Sequence, residues 1–134
     1  AAEHADEADI ADLKASVDRM RSLSETDEFI EENRNFYSIV ARASKNEVIA
    51  IFWATISILA AGEMHGVNYT AKNQKYVIDA HQGIVDAIRD RNSARASELM
   101  GAHLGDLEQL LGKRYQNLVN QATSIVQRQG RRIG

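Results

Sequence analysis

The segment HQGIVDAIRDRNSARASELMGAHL, residues 81–104, determines how this chain folds. Apolar residues recur at helical spacing on both sides of the break RDRNS, where Asn92 or Ser93 is placed to cap a second helix. His81 and His103 each lie 11 residues from Asn92. If the two helices fold back antiparallel, each imidazole stands ~16 Å from the turn at about 1.5 Å of rise per residue. The sequence therefore predicts two histidines at the same height inside a helical bundle.

The composition is that of one soluble helical domain. The 134 residues suffice to bury a core, and the hydrophobic and charged fractions, 44% and 26%, are typical of globular proteins. Proline is absent, which favours long helices joined by short turns. Cysteine is also absent, which excludes disulfides and thiolate metal sites and fits a cytoplasmic protein. A net charge of −3 gives no electrostatic basis for nucleic-acid binding by this segment, and no apolar run is long enough to span a membrane.

Helical periodicity runs along almost the whole chain and predicts an all-α antiparallel bundle of about five to six helices, with residues 1–134 as one domain. The first helix is expected to begin abruptly at Ala1, as if it had started upstream. The second predicted helix runs from Glu28 to about Ala43, with Thr26 or Asp27 as its cap, and the third from Glu47 to about Ala61. A loop is predicted over Gly62–Lys72. The fourth helix is predicted from about Asn73 to Asp90, and the fifth from Ser93 onward.

Two features of this pattern bear on packing. The third helix is apolar on nearly every face, which is typical of a central helix covered on all sides. Glycines at 101, 105 and 112 interrupt the fifth helix. Each either weakens that helix by roughly 1 kcal/mol or allows a neighbouring helix or ligand to approach closely.

Polar residues on apolar helix faces are the candidates for chemistry. Asn33 and Tyr37 are one turn apart and share a face that borders the core. His81 and His103 lie on the apolar stripes of their own helices. Four hydrogen-bonding groups can thus converge from three helices. The spacing alone leaves two interpretations open, a satisfied polar pair in the core or a binding site.

Other residues carry weaker signals. His4 lies near the start of the chain and His65 in the predicted loop. The single tryptophan, Trp53, is expected in the core or in a pocket wall, and the basic segment 127–132 is expected to be a solvated tail. We find no phosphate-binding glycine loop, no Ser-His-Asp order and no paired catalytic carboxylates, and we therefore do not expect an enzyme.

An ordered set of short motifs resembles a known family. The stretch from His81 to Ile88, followed by Asn92, Ala96, Met100 and His103-Leu104, resembles the C-terminal effector-binding domain of FadR-type GntR-family transcription regulators. Residues 33–37 (NRNFY) and 43–46 (ASKN) are similar to that family's Asp-x-x-Phe-His and Ala-Ser-x-Asn segments, and residues 1–5 resemble the end of its first effector-domain helix. The resemblance extends to about Leu107.

The resemblance implies a divalent metal in many members of that family, held by an aspartate, a histidine and two later histidines. The last two positions are His81 and His103 here, and both are intact. The first two are Asn33 and Tyr37, and both depart from the pattern. Imidazoles are good ligands for zinc or nickel. The amide of Asn33, however, lacks the negative charge with which a carboxylate offsets the cation. The phenol of Tyr37, with an ordinary pKa of about 10, must lose its proton before it can act as an anionic ligand. These departures favour direct hydrogen bonding of an organic effector by the four residues.

The resemblance also implies an N-terminal winged-helix DNA-binding domain and a homodimer. These 134 residues contain no helix-turn-helix followed by a basic wing, so we expect DNA contact only through a domain missing from this chain. The leading hypothesis is that the domain senses a small effector. This effector is expected to carry a carboxylate and to enter the interior of the bundle. The alternatives are a metal- or cofactor-binding helical bundle and a purely structural helical adaptor.

Overall fold

The computed structural model describes residues 1–60 and 69–133, and every regular element within them is an α-helix. The five helices are α1 (Glu7–Ser22), α2 (Thr26–Ala43), α3 (Glu47–Ala60), α4 (Ala71–Arg89) and α5 (Ser93–Ile133). This confirms the predicted all-α fold. Most of the predicted loop, including His65, lies outside the described residues. Within the described residues, no helix is long and apolar enough to cross a membrane.

The chain divides into two compact units. The first comprises Ala1–Met100 and the second Gly101–Gly134, so the boundary falls within α5. In the first unit, α1 packs on α2 and on α4, and α2 also packs on α3. The first unit contains three of the four candidate site residues, and the second contains His103.

The core of the first unit forms where the apolar stripes of three helices meet. Leu13 and Val17, one turn apart on α1, are completely buried against Phe36 of α2 and against Ile84 and Ile88 of α4. Burying an apolar side chain of this size stabilises a fold by about 1.5–3 kcal/mol. Leu13 and Val17, and Ile84 and Ile88, each lie at i, i+4 spacing, so these residues mark the faces on which α1 and α4 pack.

The start of α1 differs from its predicted position. The helix begins at Glu7 and not at Ala1, because the Asp6 side chain accepts a hydrogen bond from the Asp9 backbone and Asp9 reciprocates. Lys45, in the left-handed conformation with φ 54°, pairs with both carboxylates. The capping box thus fixes the start of α1 and links it to the end of α2.

Two other helices begin earlier than predicted. Helix α2 begins at Thr26, and its cap residue is Glu25, whose side chain makes no capping hydrogen bond. The predicted caps at Thr26 and Asp27 are therefore wrong. Helix α4 begins at Ala71 because the hydroxyl of Thr70 accepts a hydrogen bond from the backbone of Asn73.

The turn between α4 and α5 confirms the predicted cap. The Asn92 side chain accepts a hydrogen bond of 3.0 Å from the backbone N–H of Arg95. Arg91 adopts φ 57° and donates hydrogen bonds to the Ala2 and Ala5 carbonyls, so the turn also holds the N-terminal residues. Beyond the turn, Ala96, Leu99 and Met100 pack against the core, as an antiparallel return requires.

The prediction that α3 is a central, covered helix is wrong. Six of its large apolar side chains are exposed: Val48, Ile49, Ile51, Phe52, Ile56 and Ile58. Only a narrow side of the helix faces the rest of the unit, and Trp53 on that side packs against the core. A sequence that is apolar on all faces is also compatible with a helix that has one apolar face towards its own domain and another towards solvent.

A partly buried polar cluster also joins α1 to α2. The Glu32 carboxylate accepts hydrogen bonds from Ser16, which is completely buried, at 2.6 Å, and from Arg19 and Asn35. Burial alone would raise the pKa of Glu32, but these hydrogen bonds outweigh it and hold that pKa below its usual value. The charged form of Glu32 therefore stabilises the contact between the two helices.

Replacing Glu32 with Gln should lower the free energy of unfolding by about 1 kcal/mol at neutral pH, because the charge that accepts these hydrogen bonds is lost. The pKa of Glu32 in the folded state lies below its ordinary value of 4.5. The contribution of Glu32 to the free energy of unfolding is therefore complete above pH 4.5 and is lost as the pH falls through the folded-state pKa. Urea unfolding at pH 7 and at steps below pH 4.5 measures both effects. Glu31→Gln is the matched control, because the Glu31 side chain is 71% exposed. Equal losses in the two variants would contradict the role of Glu32.

The glycines of α5 do not mark a close approach among the described residues. A Cβ atom built at Gly101, Gly105 or Gly112 would meet nothing within 4 Å. Within the second unit, an alanine side chain therefore has room at each of these positions.

Gly101→Ala and Gly105→Ala should each stabilise α5 by about 0.5–1 kcal/mol, because alanine loses less backbone entropy on helix formation and meets no obstacle here. Thermal unfolding followed by the helical circular dichroism signal should show a higher melting temperature in each variant. Gly130→Ala, close to the end of α5, should give a smaller gain. A lower melting temperature in Gly101→Ala and Gly105→Ala would mean that another segment packs against these positions.

Candidate functional site

Three of the four predicted site residues belong to the first unit, and all three are buried. Asn33 and Tyr37 lie one turn apart on α2, with exposed fractions of 8% and 7%, and His81 on α4 is completely buried. The shared face predicted for Asn33 and Tyr37 points inward, as expected from the apolar residues beside it.

His81 is held by aromatic rings from α2. The Phe36 ring stacks on the imidazole with the centroids 3.9 Å apart and the planes at 11°. The Tyr37 ring meets the same imidazole edge to face, at 5.5 Å and 79°. Stacking occupies one face of the imidazole and leaves its nitrogens directed around the ring edge, where hydrogen bonds form. The sequence analysis placed Phe36 beside the polar pair but did not predict the stacking, whose only signal was an aromatic residue adjacent to Tyr37.

Tyr37 also connects the site to α3. Its ring lies 5.1 Å from the Trp53 ring, and Trp53 donates a hydrogen bond of 2.9 Å from Nε1 to the Ser38 hydroxyl. Burial raises the pKa of Tyr37, and the nearby Tyr69 raises it further. The phenol is therefore protonated at neutral pH and acts as a neutral hydrogen-bonding group. Trp53 forms part of the wall around Tyr37, consistent with its expected place in the core or a pocket wall.

Asn33 contributes a buried acceptor to the site. Its Oδ1 atom is inaccessible to solvent and accepts no hydrogen bond from the described residues. A buried amide oxygen without a donor costs about 1–3 kcal/mol. The atom therefore calls for a donor from outside the described residues, such as a ligand or an ordered water molecule.

His103 belongs to the second unit and is described within it. Its exposed fraction is 7%. Burial lowers the pKa of His103, and the negative charge of Asp106 opposes this effect in part. The imidazole is therefore neutral at pH 7. The approach of His103 to His81, and a cavity wall common to all four residues, remain predictions.

An open cleft of about 260 Å³ lies in the first unit near these residues. Its apolar lining includes Val40, Ile84, Ile88 and Met100, and none of the four candidate residues lines it. Val40 follows Tyr37 by three residues on α2, and Ile84 follows His81 by three residues on α4. The cleft therefore begins about one helical turn from the buried site on both helices.

Of the other two histidines, His4 is on the surface and His65 is outside the described residues. The His4 side chain is 61% exposed and lies 3.8 Å from the Glu3 carboxylate. This surface position agrees with the weak signal that His4 gave in the sequence.

The side chains of this site do not fit a tightly held divalent metal. Among the described residues, no group of three or more His, Cys, Asp or Glu side chains is placed to bind one. The Asn33 oxygen is neutral, and the raised pKa of Tyr37 opposes the loss of its proton that anionic ligation requires. The metal that the family resemblance implies therefore lacks the negatively charged ligand that would offset its charge.

A comparison with known families identifies the family of this chain. The FCD domain family matches residues 1–106, which include all four candidate site residues. The chain belongs to the FCD domain family. FCD domains are the FadR C-terminal-like domains of GntR-family regulators, and the family is one of regulatory ligand-binding domains and not of enzymes. The resemblance found in the sequence is thereby confirmed. No curated protein and no solved structure matches the chain.

We expect the purified FCD domain to carry less than one equivalent of zinc or nickel after dialysis without chelator. The double change Asn33→Asp with Tyr37→His should raise zinc affinity by about tenfold or more, because it returns one negative charge and one imidazole to the buried site. Elemental analysis and a zinc titration measure the two effects. Asn73→Asp is the control, since it adds the same charge at an exposed position of α4 away from the site. One tightly held metal per wild-type chain would contradict this expectation.

Proposed function

We propose that this FCD domain senses a small organic effector, bound in the bundle interior by Asn33, Tyr37, His81 and His103. Membership of a regulatory ligand-binding family supports the general role. The buried, unsatisfied oxygen of Asn33 is the observation that carries the site assignment. The aromatic surroundings of His81 supply the apolar walls that small-molecule sites need around a few polar groups.

The chemistry of the site favours a hydroxy acid or sugar acid. The Asn33 oxygen needs a donor, which a hydroxyl group provides. A carboxylate needs donors in turn, and the protonated phenol of Tyr37 and a neutral imidazole N–H are donors of that kind. We infer that an apolar portion of the same molecule extends towards the cleft lined by Val40 and Ile84, which begins about one helical turn from the buried site.

The proposed regulator acts in the cytoplasm as a homodimer and contacts DNA through a separate winged-helix domain. Effector binding changes the relative stability of two packing arrangements of the bundle. The difference between the effector's affinities for these two arrangements sets the size of the response. Because DNA-reading domains of a dimer must match the spacing of two half-sites, a small change in bundle packing alters DNA binding.

A thermal-shift screen of hydroxy acids, sugar acids, other small carboxylates and acyl compounds tests the proposed site. A ligand at a hundredfold excess over its Kd should stabilise the wild-type domain by about 2.7 kcal/mol. This increase in melting temperature should be lost in the double variant that combines His81→Ala with His103→Ala. It should be strongly reduced in Asn33→Ala, because a buried polar group of the ligand loses its hydrogen-bond partner.

Asn35→Ala is the control on the same helix, since Asn35 is exposed and its amide bonds only to Glu32 among the described residues. It should keep the full shift. The fluorescence of Trp53, the single tryptophan, reports on the same event because its ring lies 5.1 Å from that of Tyr37. Equal shifts in wild type and in the histidine variant would mean that the ligand binds elsewhere. Failure of every ligand to shift the melting temperature would favour a structural adaptor.

A further inference from the structure

The charges of this chain are segregated along its length. All 19 acidic residues lie within residues 1–108, together with 11 of the 16 basic ones, which gives that part a net charge of −8. The other five basic residues lie in residues 109–134, which contain no acidic residue. The family match ends at residue 106, so this basic segment lies beyond the part of the chain that matches the FCD domain. The overall net charge of −3 therefore conceals a strongly basic C-terminal segment.

The basic residues of this segment share one side of α5, which extends to Ile133. At about 100° per residue, the helical register places five of them within one arc: Lys113, Arg114, Arg128, Arg131 and Arg132. The other positions of the same arc are all polar and uncharged: Asn117, Asn120, Gln121 and Ser124. We call these nine residues the basic stripe. Six of its side chains are exposed, those of Lys113, Asn120, Gln121, Ser124, Arg128 and Arg131.

The chemistry of the basic stripe is that of a surface for phosphate groups. Each of its residues can donate a hydrogen bond, and none carries a negative charge. Lysine, arginine, asparagine, glutamine and serine are among the side chains with which proteins hold the phosphate oxygens of nucleic acids. Positions 113 and 132 lie about 28 Å apart along the helix axis, a length over which a DNA duplex presents on the order of 16 phosphate charges. The basic stripe is therefore complementary to a phosphate backbone in charge and in hydrogen bonding.

We propose that the basic stripe binds the phosphate backbone of duplex DNA without reading its sequence. Single-stranded nucleic acids are bound largely by stacking of their bases on aromatic side chains, and the stripe contains no aromatic residue. A straight helix face suits a stiff duplex instead. This contact adds to the one proposed for the separate winged-helix domain, and it depends neither on that domain nor on the effector site. It revises the expectation, drawn from the overall net charge, that this chain has no electrostatic basis for binding nucleic acid.

The apolar residues of the same helix distinguish a duplex from an anionic membrane as the partner. Their positions form an apolar side whose centre lies about 140° from the centre of the basic stripe: Tyr115, Leu118, Val119, Ala122, Ile125 and Val126. A helix that lies on a membrane turns its apolar side towards the lipid. Lys113 and Arg131, which lie almost opposite that side, would then face away from the lipid headgroups. A duplex contacts the basic stripe alone and does not require the apolar side.

Fluorescence anisotropy of a short fluorescein-labelled DNA duplex, titrated with the full chain, tests the proposal. Two duplexes of unrelated sequence should bind with equal affinity, because the phosphate backbone is the same in both. The logarithm of the binding constant should fall linearly with the logarithm of the salt concentration. Contact with three to five phosphates predicts a slope between about −3 and −4.5.

The triple variant Arg128→Gln, Arg131→Gln and Arg132→Gln should weaken binding about tenfold or more at about 50 mM salt. It should also make the salt slope shallower by about 2–3, because three phosphate contacts are lost. Replacing the same three arginines with lysine should retain most of the affinity, since the positive charges remain. The matched control combines Lys72→Gln, Lys75→Gln and Arg95→Gln, which removes the same charge at exposed positions outside the stripe. It should bind the duplex like the wild type.

The helical circular dichroism signal should be the same in all of these proteins. Absence of duplex binding by the wild type at about 50 mM salt would overturn the proposal. Equal losses in the glutamine triple variant and in the matched control would show that net charge alone, and not the stripe, determines binding. Binding to phosphatidylserine vesicles without binding to the duplex would instead assign the stripe to a membrane surface. Effector-induced thermal shifts should be retained in the glutamine triple variant, so failure of this proposal and failure of the effector proposal are distinguishable.

Discussion

The stacking of Phe36 on His81 is the contact around which the candidate site of the first unit is built. The imidazole is completely buried, and its ring lies 3.9 Å from a phenyl ring of the neighbouring helix. This contact joins α2 to α4 at the level of the site and fixes the direction of the imidazole edges. Because dry aromatic surroundings disfavour charge, the same contact favours a neutral site that works through hydrogen bonds.

The neutral character of the site follows consistently from its individual residues. Asn33 replaces a carboxylate that would carry charge, and burial raises the pKa of Tyr37 and lowers that of His103, so that each stays uncharged. A divalent cation needs negative ligands, whereas an organic molecule with hydroxyl and carboxylate groups needs donors and acceptors. Under the proposed function, Asn33 and Tyr37 therefore suit an organic effector better than a metal ion.

Much of the fold could be predicted from sequence because helical periodicity is a local property. The spacing of Leu13 and Val17 places both on one face of α1, which is the buried one, and the short polar turn around Asn92 identified the cap of α5. The start of α1 was missed, although Asp6 and Asp9 carry the capping-box spacing, because the continuous helical pattern from Ala1 concealed it. The burial of Asn33, Tyr37 and His81 was predictable from their apolar neighbours, but the ring geometry around His81 was not, since it depends on how α2 and α4 are rotated against each other.

Helix α3 shows the limit of the periodicity argument and also connects the site to the surface. Apolar residues on every side are equally compatible with burial inside one chain and with burial between two chains, so the sequence alone could not distinguish them. The inner face of α3 carries Trp53, which contacts Tyr37 of the site, and the other face carries the exposed apolar side chains. Any change in the position of the Tyr37 ring would therefore first meet Trp53 of α3, because the two rings pack directly against each other. Helix α3 is thus the element through which the proposed effector would act on the rest of the first unit.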